Sequence, residues 1–554
     1  MVTTGPGGTN AMTGVAAAYI ESTPMLIISG QVKLADQIRD QGVRQQGMQE
    51  VDIVSIAKPV TKYAAMVEKP EDIRYHLERA LFEATTGRKG PVWVDIPLDI
   101  QASVIDAENL RGYATEVSNE ADSDDGRRSS EDIICSLGKN YQKPAASQEQ
   151  IARVIEAMQQ AKRPALLLGN GIRLADAFDE LEAFLKLYQV PVLTTWNGID
   201  LIAEDHPLFF GRPGGMGQRY ANLVQQNADF LLSIGARQNL LQTGYQFDGF
   251  ARGAFKVMVD IDEAELHKIN VRPDLAICAD AGEFLRSLLE HREEIETCHD
   301  ISEWIAYANR AKKAFPIVTD DHWAEKEFVN TYALLDTITE QMKPDDIYVS
   351  GSSGTCIDIS MQTFRVKKGQ RVFATKGLAS MGFGLPATIG ACLASGKKRT
   401  VCVNGDGGFM MNIQELETLH RLQLPVKIFV LCNHGYGQIH TTQKNVFAGH
   451  YVACDEGSQL SLPDIAKVAA AFGLQTVQIH TNTELKSKVD EVLQVDGPVI
   501  CQVYTSIDLG ALPKQVSYKR KDGQMESLPL EYMNPMLSDE EMDKWMLIPA
   551  FERQ

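Results

Sequence analysis

The sequence is short of positive charge, of long apolar runs and of closely spaced cysteines. Its 54 Lys and Arg stand against 73 Asp and Glu, and the formal net charge of −19 argues against a surface for nucleic acid or anionic membranes. No apolar run approaches the roughly 18 residues of a membrane helix. The nine cysteines include no C-x-x-C pair, which predicts reduced thiols in a cytoplasmic protein.

Short apolar runs bounded by Gly and Pro alternate with amphipathic segments of helical length. This pattern predicts an α/β fold of three domains with mainly parallel sheets flanked by helices. The predicted divisions are a first domain at 1–105, a linker at 106–147, a central α/β domain at 148–292, a linker at 293–325, a third domain at 326–506, and a C-terminal tail or lid, or an arm on a neighbouring subunit, at 507–554.

The apolar runs also predict where the strands lie. A helix is expected at residues 73–86, and the tail after Ile507 shows no strand periodicity. The predicted strands are 24–29, 91–96, 164–168, 191–195, 229–234, 255–261, 347–350, 371–375, 400–404, 425–432 and 498–504.

The stretch from residue 400 to 438 carries the clearest chemistry. A predicted strand ends at Gly405-Asp406-Gly407-Gly408, and the next predicted strand ends at Asn433. Because parallel strands end at the same edge of a sheet, Asp406 and Asn433 are expected to meet there. Their oxygens, with a carbonyl from the following loop, suit Mg²⁺. Gly407 and Gly408 let backbone N–H groups approach a diphosphate, although a strand-G-D-G-helix alone also fits a plain tight turn.

In these residues the sequence resembles the thiamine-diphosphate enzymes, and in particular the acetolactate synthase group. A G-D-G followed by just under thirty residues and an Asn is the signature of that family. Further segments look like acetolactate synthase and its relatives: residues 3–10 (TTGPGGTN), 53–62 (IVSIAKPVTK), 90–97 (GPVWVDIP), 381–386 (MGFGLP) and 414–416 (QEL).

The resemblance implies a role for several groups of residues. Mg²⁺ would be held by Asp406, Asn433 and the carbonyl of Gly435. Thiamine diphosphate would be bound by Gly351, Ser352, Ser353, Met381, Gly405, Gly407, Gly408, Asn433, Tyr436 and Gly437. Catalytic roles are implied for Gln49, for Met381 as the apolar wedge that bends the cofactor, and for Ala379, whose carbonyl would accept a hydrogen bond from the aminopyrimidine. Ordinary core packing is the alternative for Met381 taken alone.

One element of the family pattern has no counterpart here. In the family, a Glu that hydrogen-bonds the aminopyrimidine lies some two dozen residues before the T-[ST]-G-P-G turn, and in this sequence that turn starts at Thr3. Glu21 and Glu50 come too late to replace it. The resemblance therefore implies an N-terminally truncated form with an incomplete first domain and weak or no activity.

The central domain resembles the FAD-carrying domain of acetolactate synthases. The resemblance departs at residues 238–241, where the family has a strongly charged segment, and a flavin in such enzymes is structural. The turns that would contact FAD are Gly169, Asn170 and Gly171, then Thr195 and Trp196, then Gly235, Ala236 and Arg237, and finally Asp260 and Asp262.

The implied activity is a carboligase that decarboxylates pyruvate, a 2-oxo acid, and transfers the two-carbon unit to a second carbonyl compound. Gln438 and Thr442 make the substrate entrance more polar than in acetolactate synthases, and the tail resembles relatives that make branched sugars. Acetyl transfer to a nucleotide-linked keto-sugar is therefore one alternative, and a catalytically inactive cofactor-binding protein is another. His434 and His440 are candidate proton shuttles. The resemblance also implies a homodimer or homotetramer.

Overall fold

The computed structural model describes residues 1–39, 41–113, 141–295, 300–352, 354–520 and 522–551. The chain divides into two compact units, Met1–Lys143 and Pro144–Gln554. The first holds one parallel three-stranded sheet, and the second holds a five-stranded and a six-stranded sheet, both parallel. The predicted α/β class with mainly parallel sheets is confirmed. None of the helices within the described ranges is long and apolar enough to cross a membrane.

In the first unit, the sheet consists of β1 (Met25–Gln31), β2 (Tyr63–Met66) and β3 (Pro91–Pro97), with β3 in the middle. Strand β3 is almost entirely buried, as expected for a central strand covered on both faces. The helices of this unit are Pro6–Ile20, Ile53–Ala57, Ile73–Thr85 and Leu98–Gln101, with 3₁₀ turns at Leu34–Asp36, Lys58–Val60 and Pro70–Asp72.

A buried carboxylate lies near the end of β3. Asp95 accepts hydrogen bonds from Ser29 Oγ and from Gln31 Nε2, the latter at 3.1 Å. Trp93 Nε1 donates to the same Ser29 hydroxyl at 2.7 Å. Burial raises the pKa of Asp95 to about 6, and the two side-chain hydrogen bonds offset this only in part. The folded first unit therefore binds a proton at this carboxyl more tightly than the unfolded chain does.

We expect Asp95→Asn to remove part of the pH dependence of stability. Because the folded pKa of Asp95 lies above its unfolded value, the group stabilises the fold fully below pH ~4, and that stabilisation is lost as pH rises through about 6. The stability lost over this window amounts to at most about 3 kcal/mol. Urea unfolding at several pH values would measure the slope, and an unchanged slope in the variant would contradict this assignment.

The central sheet of the second unit has the strand order β5-β4-β6-β7-β8. Its strands are β4 (Pro164–Leu168), β5 (Val192–Thr194), β6 (Phe230–Ile234), β7 (Phe255–Asp260) and β8 (Leu275–Cys278). Strands β4 and β6 are buried along their whole length. The surrounding helices are Gln148–Gln160, Gly171–Leu174, Phe178–Leu187, Arg219–Asn227, Leu240–Thr243, Glu263–Leu266, Ala281–Glu290 and Arg292–Ile295, with 3₁₀ turns at Trp196–Leu201 and Phe247–Gly249.

The segment 293–325, predicted to be a linker, is largely helical. It contains the helices Ser302–Ala314 and Asp320–Trp323. Trp304, Tyr307 and Ala308 are buried in the same hydrophobic cluster as strands of the central sheet. The linker prediction is corrected for this reason: these side chains extend the core of the central sheet, and only residues 296–299 fall outside the described ranges.

The third sheet has the strand order β10-β9-β11-β12-β14-β13. Its strands are β9 (Ile347–Ser350), β10 (Arg371–Phe373), β11 (Thr400–Gly405), β12 (Val426–Cys432), β13 (Gln475–Ile479) and β14 (Val499–Tyr504). The helices around it are Thr331–Gln341, Thr355–Thr363, Gly384–Ala394, Asp406–Met410, Leu416–Leu422, Gly437–Val446, Ile465–Ala471 and Leu485–Gln494, with 3₁₀ turns at Ile413–Glu415, Glu456–Ser458 and Asn482–Glu484.

The described part of the tail, predicted to be a lid or an arm, packs against helices of the central sheet in its own chain. Glu531 is buried and pairs with Arg252 at 2.6 Å. Asn222 Nδ2 donates to the carbonyl of Leu530 at 3.0 Å, and Asn227 Nδ2 donates to that of Trp545 at 2.9 Å. The tail also has regular elements that the sequence did not predict, namely the short strands Lys514–Gln515, Ser517–Lys519, Met525–Ser527 and Met533–Asn534 and the helix Asp539–Trp545.

Candidate cofactor site

Asp406 and Asn433 lie together at the carboxyl edge of the third sheet. Strands β11 and β12 are paired neighbours, so the residues that follow them share one edge. The backbone N–H groups of Asn433 and His434 donate to Asp406 Oδ2 at 3.1 and 3.0 Å, and that of Gly407 donates to Oδ1 at 2.8 Å. The closeness that the sequence predicted for Asp406 and Asn433 is present in the structure.

The loop after Asn433 folds back on the Asn433 side chain. Asn433 Oδ1 accepts a hydrogen bond from the backbone N–H of Gly435 at 3.1 Å. Tyr436 N donates to the carbonyl of Cys454 at 2.8 Å, which fixes the far end of the loop. His434 has a left-handed backbone with φ 58°. These contacts hold the Asn433–Gly435 loop close to the Asp406 carboxylate.

The environment of Asp406 suits a cation. Its side chain is buried, and burial raises the pKa of the carboxyl to about 6, with partial compensation from the N–H groups of Gly407 and His434 and from the nearby His434 side chain. A buried carboxylate with no cationic partner is costly, and a bound cation would remove that cost. In the described ranges no group of three or more His, Cys, Asp or Glu is placed to hold a metal, so an ion here would need amide and carbonyl oxygens in addition to the Asp406 carboxylate.

Gly407 brings the start of the helix Asp406–Met410 against an aromatic ring. A Cβ at this position would lie 2.3 Å from Tyr436 Cε1 and 3.6 Å from Met381 Cε. Only glycine permits this approach. The structure therefore brings Gly407, Tyr436 and Met381 together, as the resemblance implied. Met381 is exposed at 41%, which argues against ordinary core packing as its role.

Two buried polar atoms at this edge lack a hydrogen-bond partner among the residues that the structure describes. They are Ser350 Oγ, at the end of β9, and Asn404 Nδ2, near the end of β11. Gly408 and Gly351 lie next to Asn404, because a Cβ on either would fall within 3.2 Å of Asn404 Oδ1. Unpaired buried polar groups are rare, so this edge is suited to a polyanionic ligand.

Among the remaining predicted residues of the third domain, Ser352 follows β9, Gly405 ends β11 and Gly437 begins the helix after β12. Ser352 is buried and directly follows Gly351, while Ser353 lies outside the described residues. Gly405 is the last residue of β11, and Gly437 begins the helix Gly437–Val446. Ala379 has a left-handed backbone with φ 53°, a conformation that L-residues adopt rarely and that often marks a functional constraint.

Gln49 belongs to the first unit and lies against the glycine-rich turn there. Its own φ is 64°, and a Cβ on Gly5 would lie 2.2 Å from the Gln49 carbonyl oxygen. The neighbouring Glu50 accepts hydrogen bonds from the backbone N–H groups of Ile38, Gln46 and Gly47. Glu50 therefore orders the loop that carries Gln49.

The turns predicted to contact FAD meet at the carboxyl edge of the central sheet. A Cβ on Gly169 would lie 2.1 Å from the Gly235 carbonyl oxygen and 2.3 Å from Ala236 Cα, and one on Gly171 would lie 2.6 Å from Gly235 Cα. The close packing of two backbones thus explains these glycines without a ligand. Thr195 N donates to the Leu168 carbonyl at 2.9 Å, which places the Thr195–Trp196 turn beside them.

The other predicted FAD residues have contacts within the chain. Asp262 caps the helix Glu263–Leu266 through Ala264 N at 3.0 Å, and Asp260 accepts from Asp262 N at 3.0 Å. The carbonyl of Arg237 accepts from Lys268 Nζ. The side-chain oxygen of Asn170 is buried and has no partner within the part of the chain described.

The two candidate proton shuttles differ in environment. His434 is exposed. His440 is buried, stacks on Tyr451 at 4.3 Å between ring centroids, and has Nε2 3.5 Å from Asp455 Oδ2. Gln438 and Thr442 suggested a polar substrate entrance. The side-chain amide of Gln438 donates to Asp358, and the hydroxyl of Thr442 donates to the backbone carbonyl of Gln438.

The sequence did not predict a buried ion pair beside this site. Asp358 accepts hydrogen bonds from Lys376 Nζ at 2.7 Å and from Gln438 Nε2 at 3.1 Å. Lys376 stands in the segment just before Ala379. The two partners are 18 positions apart and belong to different elements, so no local pattern indicates that they pair.

Comparison with known families accounts for this arrangement. Three sequence models of one family match the chain: "Thiamine pyrophosphate enzyme, N-terminal TPP binding domain" at residues 1–56, the "central domain" at 151–288, and the "C-terminal TPP binding domain" at 353–503. The last of these contains Asp406, Asn433 and Met381. The middle one contains the turns at the carboxyl edge of the central sheet.

The chain is also similar to curated proteins along most of its length. The probable acetolactate synthase large subunit of Methanocaldococcus jannaschii is 30% identical over 513 residues, covering 90% of this chain and 80% of that protein. The acetolactate synthase large subunit of Cyanidium caldarium is 29% identical over 514 residues, covering 91% and 82%. The acetolactate synthase isozyme 3 large subunit of Escherichia coli (strain K12) is 30% identical over 498 residues, covering 89% and 80%. This chain therefore belongs to the thiamine pyrophosphate enzyme family and is similar to its acetolactate synthase large subunits.

Proposed function

We propose that the protein is a thiamine-diphosphate-dependent carboligase that decarboxylates pyruvate and joins the two-carbon unit to a second carbonyl compound. The observation that carries this proposal is the meeting of Asp406, Asn433, Gly407, Tyr436 and Met381 at one edge of the third sheet. The similarity to acetolactate synthases supports pyruvate as the donor.

In this proposal, Mg²⁺ is held by the Asp406 carboxylate, the side-chain oxygen of Asn433 and the carbonyl of Gly435. The support is the chemistry of this donor set, since hard oxygen ligands are those that Mg²⁺ prefers and phosphate oxygens complete its shell. The burial of the Asp406 charge is the second support. The ion would neutralise the diphosphate and fix its position.

The diphosphate would lie along Gly351, Ser352, Gly405 and Gly408. Ser350 Oγ and Asn404 Nδ2, two buried polar atoms there, have no hydrogen-bond partner among the described residues. Met381, held near Gly407 and Tyr436, would support the bent cofactor from its apolar side. The left-handed backbone at Ala379 would direct its carbonyl toward the aminopyrimidine. The cofactor supplies the nucleophile and the electron sink, while these residues bind and orient it.

The proposal extends to FAD at the carboxyl edge of the central sheet. The glycines at 169, 171 and 235 do not support it, because backbone packing explains them. The support is the buried, unpartnered side-chain oxygen of Asn170 at the turn between β4 and the helix Gly171–Leu174. A flavin here would be structural, and its spectrum in heat-released supernatant would identify it.

No contact among the described residues favours a nucleotide-linked keto-sugar as acceptor. The polar side chains at 438 and 442, which suggested such an acceptor, form hydrogen bonds within the chain. An inactive cofactor-binding protein likewise has no supporting contact there. The turnover assay described next distinguishes both alternatives from the proposed carboligase.

The test is a turnover assay on the protein at the full length that its gene encodes. With thiamine diphosphate, Mg²⁺ and pyruvate, we expect release of CO₂ together with formation of acetolactate, both dependent on the cofactor and on the ion. Removal of the ion with a chelator should abolish turnover, and added Mg²⁺ should restore it.

Three other outcomes would contradict the proposal in different ways. Release of CO₂ without a ligated product would indicate a simple decarboxylase. Product formation only with an added keto-sugar nucleotide would identify another acceptor. Tight binding of thiamine diphosphate without any release of CO₂ would indicate a cofactor-binding protein.

A further inference from the structure

The side chain of Asp358 joins two segments of the third domain that are far apart in sequence. It lies in the helix Thr355–Thr363 and is 2% exposed. One carboxylate oxygen accepts from Lys376 Nζ at 2.7 Å and the other from Gln438 Nε2 at 3.1 Å. Both oxygens therefore have a partner, as a buried carboxylate requires.

Each partner belongs to a segment of the proposed cofactor site. Lys376 precedes Ala379 and Met381 in the same stretch of chain. Gln438 directly follows Tyr436 and Gly437, which come after the Asn433–Gly435 loop proposed to hold Mg²⁺. The helix that carries Asp358 itself begins just after the turn at Gly351 and Ser352.

The start of the helix that carries Asp358 lies near the Gln438 side chain. A Cβ built on Gly354, the residue before this helix, would lie 3.5 Å from Gln438 Cγ. The hydrogen bond from Gln438 Nε2 to Asp358 therefore joins two neighbouring parts of the chain, and loss of the carboxylate would remove it.

Lys376 connects this cluster to the central sheet. Its Nζ lies 5.7 Å from the centre of the Trp196 ring, within the range of a cation–π contact. Trp196 is 7% exposed and starts the 3₁₀ turn Trp196–Leu201. The ammonium group therefore has a fixed environment on two sides, and it is not a mobile surface charge.

We propose that Asp358 is a positioning residue that, through Lys376 and Gln438, holds the three cofactor-contacting segments of the third domain in one arrangement. This inference rests on the proposed function. Three segments fixed to one carboxylate require little reordering when thiamine diphosphate binds, and pre-organisation of this kind increases affinity. Without the carboxylate, each segment has to be ordered by the cofactor itself.

The pair differs from a surface ion pair of the same chemistry nearby. Lys444 and Asp508 are also 2.7 Å apart, but their side chains are 54% and 59% exposed. Exposed pairs of this kind contribute little to structure. Lys444→Met is therefore a matched control, because it removes the same atoms from a lysine that contacts no proposed cofactor segment.

The experiment measures the dissociation constant of thiamine diphosphate by calorimetry, in the presence of Mg²⁺, for the wild type, Asp358→Asn, Lys376→Met and the double variant. We expect each single variant to weaken binding by about tenfold or more, by analogy with supporting residues of metal sites. The double variant should be no weaker than Asp358→Asn, because both changes break the same link. Lys376→Arg should restore part of the affinity.

Further readouts separate positioning from a general loss of stability. The KM for pyruvate should stay within about twofold of the wild type, because only the cofactor segments are loosened. A lower melting temperature of the cofactor-free Asp358→Asn protein with unchanged cofactor affinity in both single variants would show a merely structural role and overturn the inference. An effect of Lys444→Met as large as that of Lys376→Met would also overturn it. A wild type that binds no thiamine diphosphate would overturn the proposed function, and this inference with it.

Discussion

Replacement of Asp406 by Ala should lower the affinity for thiamine diphosphate in the presence of Mg²⁺ by at least about 100-fold and abolish turnover. Changes in residues that only support a metal ligand already cost 10- to 100-fold, and Asp406 is the one carboxylate in the proposed ligand set. Its two oxygens also receive three backbone N–H groups, from Gly407, Asn433 and His434. Calorimetric titration with the cofactor, at fixed Mg²⁺, would measure the loss.

A second substitution separates the loss of charge from a loss of structure. Asp406→Asn retains one oxygen that can accept from the N–H groups of Asn433 and His434, so the cofactor-free protein should melt close to the wild type while still losing cofactor binding. Asp508→Asn is the control, since Asp508 is an exposed carboxylate that pairs with Lys444 and its loss should have little effect. Wild-type affinity in Asp406→Ala would remove the basis of the proposed metal site.

Gly169→Ala is expected to destabilise the central sheet severely. The new methyl group would lie 2.1 Å from the Gly235 carbonyl oxygen and 2.3 Å from Ala236 Cα, and these are backbone atoms that cannot move aside without shifting β6. Overpacking normally costs about 1–3 kcal/mol, and a clash with backbone should cost at least about 3 kcal/mol. Urea unfolding of flavin-free protein would measure the free energy of unfolding without any contribution from ligand binding.

The matched control for this substitution is Gly390→Ala. Gly390 lies in the helix Gly384–Ala394 of the same unit, and a Cβ there would meet nothing within 4 Å. Because Ala is the better helix former, this variant should be unchanged or more stable by about 0.5–1 kcal/mol. Equal stability of Gly169→Ala and the wild type would show that the turn after β4 can open, and the role of the glycine would then need another explanation.

The sequence predicted the central strands of all three sheets and missed some of the edges. Predicted strands such as 164–168 and 347–350 coincide with β4 and β9, because central strands of parallel sheets are buried on both faces and form continuous apolar runs. The strands β2, β8 and β13 were missed, and each lies at an edge of its sheet. In β13, Gln475 and Gln478 are exposed, so no apolar run marks that strand.

The candidate site was predictable where it depends on strand order and not where it depends on long-range pairing. Asp406 and Asn433 each follow a buried strand, and neighbouring parallel strands bring such residues together. The contact of Asp358 with Lys376 and Gln438 crosses from a helix to two loops, and the sequence offers no periodicity that could indicate it. The apparent linker at 293–325 was misjudged for a related reason, since its buried aromatic residues have their partners in the central sheet and in the tail.

The way the tail is fixed has a consequence for how the protein is made. The helix Arg219–Asn227 has its polar side chains fully enclosed, and their partners at Leu530, Met533 and Trp545 are translated about 300 residues later. Domains are generally able to fold in turn as they are synthesised. Here the central domain can reach its final packing only after the chain has been synthesised as far as Trp545, and we expect its buried amides to remain hydrated until then.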